Sequence, residues 1–270
     1  MLYCLLLALL FGLVEGITEW LPISSTGHLI LLRALLPVTF SDTFFSLFEV
    51  VIQLGAIAAV PVLFWEKLTP FSGHKTAREQ KEALGLWGRI LLATLPAALL
   101  GALFGDVLDR YLFHPPAVGI ALVVYGILFL IPTKAWCKRP QTDTVDTKKA
   151  FGLGLFQALA LIPGTSRSGA TLFGGNLLGI TRPATAEFSF FLAIPTMAGA
   201  GLFQCTKLFL KGYLPTRTEW LLLAAGTLTA FLVSLTVIRF LLNFVRCHGL
   251  APFGVWRILL GGAVILYHLL

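Results

Sequence analysis

Two short polar stretches interrupt a chain that is otherwise built from long apolar segments, and they limit its fold more than any other feature. The first runs Glu15-Gly16-Ile17-Thr18-Glu19-Trp20-Leu21-Pro22-Ile23-Ser24-Ser25-Thr26-Gly27-His28, and the second Pro163-Gly164-Thr165-Ser166-Arg167-Ser168-Gly169-Ala170-Thr171. Of the 270 residues, 57% are hydrophobic and 12% charged. Soluble domains carry roughly 25% charged residues, so this composition points to an all-α polytopic membrane protein. Ionisable groups at hydrocarbon depth are costly and usually functional.

Six apolar segments are long enough to span a bilayer: roughly 43–65, 88–107, 115–133, 185–207, 219–242 and 252–270. A span needs about 20 residues. Regions 1–36 and 150–180 differ, because each holds a helix, a Pro/Gly/Ser break and a second short helix. Such segments suit re-entrant hairpins, whose irregular backbone is tolerated only where protein or a water-filled cavity receives it. The expectation is about ten helices in a single domain: six spans plus two re-entrant helical hairpins. Residues 1–14 lack the basic start and small-residue cleavage site of a signal peptide, and are expected to stay in the mature chain.

The two interrupted regions resemble each other. Pro22 and Pro163 lie 141 residues apart, as do Ser25 and Ser166. Three spans separate them, which would invert the second relative to the first. The repeats are then approximately 1–133 and 150–242, followed by a final span at 252–270. Under this topology fourteen Lys and Arg, among them Arg257, fall on one side and five on the other, with Arg167 set aside as intramembrane. The positive-inside rule makes the richer side cytoplasmic. The net charge of +7 is spread over connecting loops and is no nucleic-acid signal. Four scattered cysteines form no disulfide framework or metal motif.

Chemistry concentrates in the two polar stretches. Glu15 and Glu19 are spaced i, i+4 and share a helix face, so they could hold a divalent cation such as Mg²⁺ or Ca²⁺, or act as a general base. Ser24, Ser25 and Thr26 follow Pro22. A Ser there is ordinarily a helix cap, yet Ser25 with His28 or a Glu nearby could be an activated nucleophile. In the second stretch, Gly164 and Gly169 permit tight turns whose amides converge on an oxyanion. Arg167 offers a planar fork for phosphate, and Ser166, Ser168 and Thr171 add hydroxyls. Arg167 could instead simply pair with Glu15, Glu19 or Glu187. Glu49 and Glu187 suit supporting or helix-end roles, and Gln53 an interhelical hydrogen bond. Asp106, Asp109, Arg110 and His114 read as a short solvated loop.

EGITEWLPISSTGHLIL and PGTSRSGATL resemble the two signature stretches of the undecaprenyl pyrophosphate phosphatase family of the bacitracin-resistance type, and the likeness extends over the whole chain. The resemblance implies an integral membrane phosphatase. Its substrate would be a C55 isoprenyl diphosphate, cleaved with a divalent cation to the monophosphate carrier lipid of cell-wall synthesis. It implies that Glu15 and Glu19 form the acidic pair, Ser25 is the nucleophile and His28 its partner. Arg167, aided by Ser166 and Thr171, would bind phosphate. It also implies the bacterial cytoplasmic (inner) membrane, with the site open to the outer face. A secondary transporter or flippase of a prenyl-phosphate lipid is the alternative, because inverted repeats and broken helices suit transport equally well. Its site would need head-group affinity but no nucleophile. The chain fixes no oligomeric state, and a homodimer is compatible with it.

Overall fold

A computed structural model describes residues 1–131 and 141–269, apart from the side chain of Asp109. The described residues form eleven α-helices. In order these are α1 (Leu2–Thr18), α2 (Ser25–Leu35), α3 (Asp42–Leu63), α4 (Trp65–Leu68), α5 (Ala77–Leu112), α6 (Pro115–Leu130), α7 (Thr147–Ala158), α8 (Arg167–Leu177), α9 (Arg182–Leu210), α10 (Arg217–Cys247) and α11 (Ala251–Leu269). A 3₁₀ turn at Leu159–Leu161 extends α7. The molecule is an all-α polytopic membrane protein.

Among the described residues, five helices are long and apolar enough to cross a membrane: α3, α5, α9, α10 and α11. The sixth expected span, 115–133, is shorter. α6 has 16 residues and gives way to extended backbone at Ile131. Ile131 precedes Pro132, whose ring disfavours helical backbone in the residue before it. α5 is longer than expected and takes in 77–87 and 108–112, both read from sequence as loops. A capping box starts it. Thr76 N–H donates to Glu79 Oε2 at 2.8 Å, and Glu79 N–H donates to Thr76 Oγ1 at 3.3 Å. Arg78 and Glu82 then pair at 3.0 Å one turn apart. Asp106 and Arg110 accordingly lie on the last turns of α5 rather than in a loop.

Leu91, Leu95, Leu99 and Leu103 form an exposed stripe along α5, the surface expected to meet lipid tails. Inside, Phe11 packs edge-on against Phe45 and Phe48, joining α1 to α3, and Trp20 packs edge-on against Phe190 of α9. α6 and α11 approach closely through paired small residues. A Cβ on Gly126 would lie 2.8 Å from the Gly254 carbonyl oxygen, and one on Gly119 would lie 3.0 Å from that of Gly261.

Both interrupted regions fold as helix, break and second helix. α1 is about 26 Å long and α2 and α8 about 16 Å each, too short to cross a core of about 30 Å. The breaks contain the backbone that most needs its conformation. Ser24 (φ 71°) and Ser166 (φ 68°) are the only non-glycine residues with positive φ among the described residues. Each caps the helix after it: Ser24 Oγ accepts from Gly27 N–H, and Ser166 Oγ from Gly169 N–H. The structural equivalence is therefore Ser24 with Ser166, 142 residues apart, rather than the 141 read from the prolines. α2 and α8 both have 11 residues, and Ser25 and Arg167 open them.

Candidate active site

The two breaks meet at one open cavity of about 190 Å³. Glu19, Ser24, Ser25 and Thr26 line it from the first break, and Gly164, Ser166 and Arg167 from the second. Gln53 of α3, Gln157 of α7 and Thr196 of α9 complete its polar wall. The N-termini of α2 and α8 both end there, so two positive helix ends face the same space.

Glu19 is the centre of the arrangement. It follows the last residue of α1, and its carboxylate bridges the two second helices. Ser25 Oγ–H donates to Glu19 Oε2 at 2.9 Å. Arg167 donates to Glu19 Oε1 from Nη2 at 3.2 Å and from Nε at 3.4 Å. Both ion-pair side chains are nearly buried, at 8% and 6% exposure for Arg167 and Glu19. Arg167 is held from behind as well. Its Nη1 donates to the Ser189 carbonyl at 2.7 Å and to Ser189 Oγ at 3.2 Å, and its guanidinium lies 5.7 Å from the Trp20 ring centre.

Ser168 and Thr171 act one layer below the cavity. Ser168 Oγ–H reaches the carbonyls of Leu21 at 3.2 Å and Glu19 at 3.4 Å, latching the second break to the first. Thr171 Oγ1 shares a 2.6 Å hydrogen bond with Ser189 Oγ, which itself contacts Arg167. Gly169 supplies the capping N–H and lies against Arg257, where a Cβ would come within 3.3 Å of Nη1. Gly164 needs its glycine for two reasons: its φ is +89°, and a Cβ would sit 2.5 Å from the Val118 carbonyl oxygen.

Two predicted site residues are placed elsewhere. His28 does not contact Ser25. Its Nδ1 bonds the Ser24 carbonyl at 2.7 Å, and its Nε2 accepts from Trp256 Nε1–H at 2.9 Å, so both nitrogens are occupied. Glu15, at 1% exposure, is off the cavity wall and has an unpartnered Oε1. It shares a local field with Glu19 and Glu49. Glu187 pairs with Lys67 at 2.8 Å, the helix-end role expected of it.

Four contributors were missed in sequence. Gln157, Ser189 and Thr196 lie in apolar runs without a motif. Gln157 Nε2 donates to Thr196 Oγ1 at 3.1 Å, while its Oε1 is buried without a partner. The fourth is Arg257, assigned from sequence to the cytoplasmic charge cluster. It is fully buried in α11. An arginine inside an apolar span is itself a signal, and the charge count passed over it. Under the topology expected from sequence, its removal leaves thirteen basic residues against five. Of the thirteen, Lys134, Lys138 and Arg139 lie outside the described residues, as does Cys137.

Fold and site together define a polytopic helical membrane protein with a polar, arginine-bearing pocket that holds a carboxylate–hydroxyl pair. The chain belongs to the family described as bacitracin resistance protein BacA, which matches residues 8–263. It is 48% identical over 266 residues to undecaprenyl-diphosphatase 1 of Clostridioides difficile (strain 630), covering 97% of this chain and 96% of that protein. It is 46% identical over 269 residues to an undecaprenyl-diphosphatase of Acetivibrio thermocellus, covering 98% of each. An undecaprenyl-diphosphatase of Enterococcus faecalis is 44% identical over 268 residues, covering 97% of this chain and 96% of that protein.

Proposed function

We propose that this protein is an undecaprenyl-diphosphatase that hydrolyses the C55 lipid diphosphate to its monophosphate and inorganic phosphate. The observation that carries the reading is the convergence of two helix N-termini, Arg167 and the Glu19–Ser25 pair on one cavity. A flippase needs the anion-binding half of that inventory, but not a hydroxyl already bonded to a buried carboxylate.

The diphosphate replaces Glu19 as the main partner of Arg167, and the first amides of α2 and α8 receive its oxygens. Glu19, released from the cation, takes the Ser25 proton as Oγ attacks the terminal phosphorus. The Oγ–P bond forms and the bridging P–O bond breaks. The prenyl monophosphate leaves with the electron pair. Water then attacks the phosphorus held by Ser25, the Oγ–P bond breaks, Oγ regains its proton from Glu19, and inorganic phosphate leaves. Arg167 and the helix ends stabilise charge on the transferring oxygens throughout.

The oxygen donors at the cavity suit a divalent cation shared with the substrate. The Glu19 carboxylate and the unpartnered Gln157 Oε1 would hold it. Such an ion would offset negative charge on the diphosphate. We further propose inverted repeats in the cytoplasmic membrane, with the site reached from the outer leaflet while the prenyl tail stays in lipid. The charge asymmetry under that topology supports this orientation.

The decisive experiment is phosphate release by purified protein in detergent with undecaprenyl diphosphate and Mg²⁺ or Ca²⁺. Release abolished by a chelator and restored by the cation is expected. Lipid movement in vesicles without release would replace the enzyme by a flippase. Rapid quench with labelled substrate should trap phosphate on the protein. No trapped label, together with substantial turnover by Ser25→Ala, would replace the serine route by direct attack of water.

A further inference from the structure

Arg257 has no part in the chemistry described above, and its surroundings are unusual for a cation. It is fully buried. Among the described residues no carboxylate pairs with it. Its partners are carbonyl oxygens: Gly164 at 2.8 Å and Thr165 at 2.9 Å from Nη2, and Pro22 at 3.2 Å from Nη1. The rings of Tyr125 and Phe129 lie 5.5 Å from its guanidinium carbon. A buried guanidinium without an anion is expensive, and a neutral donor could satisfy one carbonyl at lower cost.

The identity of the carbonyls gives the reason. Pro22 stands three residues before Ser25, and Gly164 three residues before Arg167. They are equivalent positions of the two breaks. A single planar fork therefore spans matching points behind the two helix ends that face each other across the cavity. Lysine's point charge has no such fork. The preceding residue, Trp256, holds His28 of α2 at 2.9 Å. α11 thus grips the first hairpin at three points, the third being Tyr267 Oη–H to the Ala34 carbonyl at 3.1 Å, and the second hairpin through the same arginine.

We propose that Arg257 is a positioning residue that sets the gap between Ser25 and Arg167 by tying the two breaks to α11. This rests on the phosphatase reading and deepens it. Geometry of this kind acts on the chemical step, because a misplacement of about 1 Å between reacting groups can cost roughly a hundredfold in rate. A brace that served folding alone would change stability and leave the turnover of the folded fraction intact.

The test is steady-state phosphate release from undecaprenyl diphosphate by the full-length protein in detergent. Wild type, Arg257→Lys and Arg257→Gln are compared, each with its thermal unfolding midpoint. The expectation is a kcat about tenfold lower in Arg257→Lys and about a hundredfold lower in Arg257→Gln, with KM changed by less than about threefold. The midpoint of Arg257→Lys should stay close to wild type. Wild-type kcat in folded Arg257→Lys overturns the proposal, as does a kcat that falls only in step with the folded fraction. Should Arg257→Gln fail to fold, Arg257→Lys decides alone. A wild type that releases no phosphate removes the phosphatase reading and this inference with it. An active wild type matched by Arg257→Lys removes only the inference.

Discussion

The two breaks share a backbone and divide the chemistry. Each has a Ser at positive φ, a cap bond to an amide three residues on, and an 11-residue helix after it. Position by position, Ser25 corresponds to Arg167 and His28 to Ala170. Glu19 has Leu161 as its counterpart, so the acid has no twin. One copy presents a hydroxyl and its proton acceptor, and the other a fixed cation. Because both helix ends are positive, the shared scaffold favours anions, and in the proposed mechanism the first residue of each helix sets what happens to them. This division predicts unequal damage from equivalent substitutions.

The largest effect should come from the first break. Glu19→Gln keeps the shape of the side chain but cannot accept the Ser25 proton, and Ser25→Ala removes the proposed nucleophile. Each should lower kcat about a thousandfold in the phosphate-release assay. Near-normal turnover by either would move the chemistry off this break. Arg167→Ala in the second break should cost about 2–4 kcal/mol in the transition state, or roughly a hundredfold. Arg167→Lys should recover part of it, since a point charge reaches one phosphate oxygen where the fork reaches two. Equal losses at Ser25 and Arg167 would blur the division of labour.

Much of this asymmetry was legible in sequence because it is carried by residue type. Carboxylates, a hydroxyl run and an arginine within apolar surroundings stand out against a 57% hydrophobic chain. The helix–break–helix regions were legible too, since Pro22 and Pro163-Gly164 interrupt them and neither half of 150–180 is long enough to cross. What stayed hidden depends on distance rather than type. No spacing rule places Ser189, 22 residues beyond Arg167, against its guanidinium. His28 lies on the next turn from Ser25, and only the Trp256 contact shows where its ring goes. The one-residue slip in the repeat came from aligning Pro22 with Pro163 and Ser25 with Ser166, whereas the folded chain aligns the cap serines Ser24 and Ser166. The extra length of α5 was readable from Thr76-Ala77-Arg78-Glu79, a capping box that was overlooked.

The placement of His28 gives the next prediction. With its nitrogens bonded to Ser24 O and Trp256 Nε1, it supports the first break without serving Ser25. His28→Gln should therefore retain turnover within about tenfold of wild type, well short of the loss in Glu19→Gln. A loss as large as that of Glu19→Gln would return the imidazole to the chemical step, and would imply a rearrangement of α2 when substrate binds.

The smallest effect tests the similarity of the breaks rather than their difference. Ser24 and Ser166 each combine a favourable cap with a backbone conformation that suits glycine. Alanine removes the cap and keeps the strain, so Ser24→Ala and Ser166→Ala should each lose about 1 kcal/mol of stability. Glycine removes the cap but relieves the strain, and glycine at a cap costs only a few tenths of a kcal/mol. Ser24→Gly and Ser166→Gly should thus be neutral or slightly stabilising in thermal unfolding. The two positions should agree within about 0.5 kcal/mol, because the same local geometry is being altered. A clear disagreement would mean that one break is held in shape mainly by its surroundings. The Arg257 fork, which has two bonds to the second break and one to the first, makes the second the better candidate for that role.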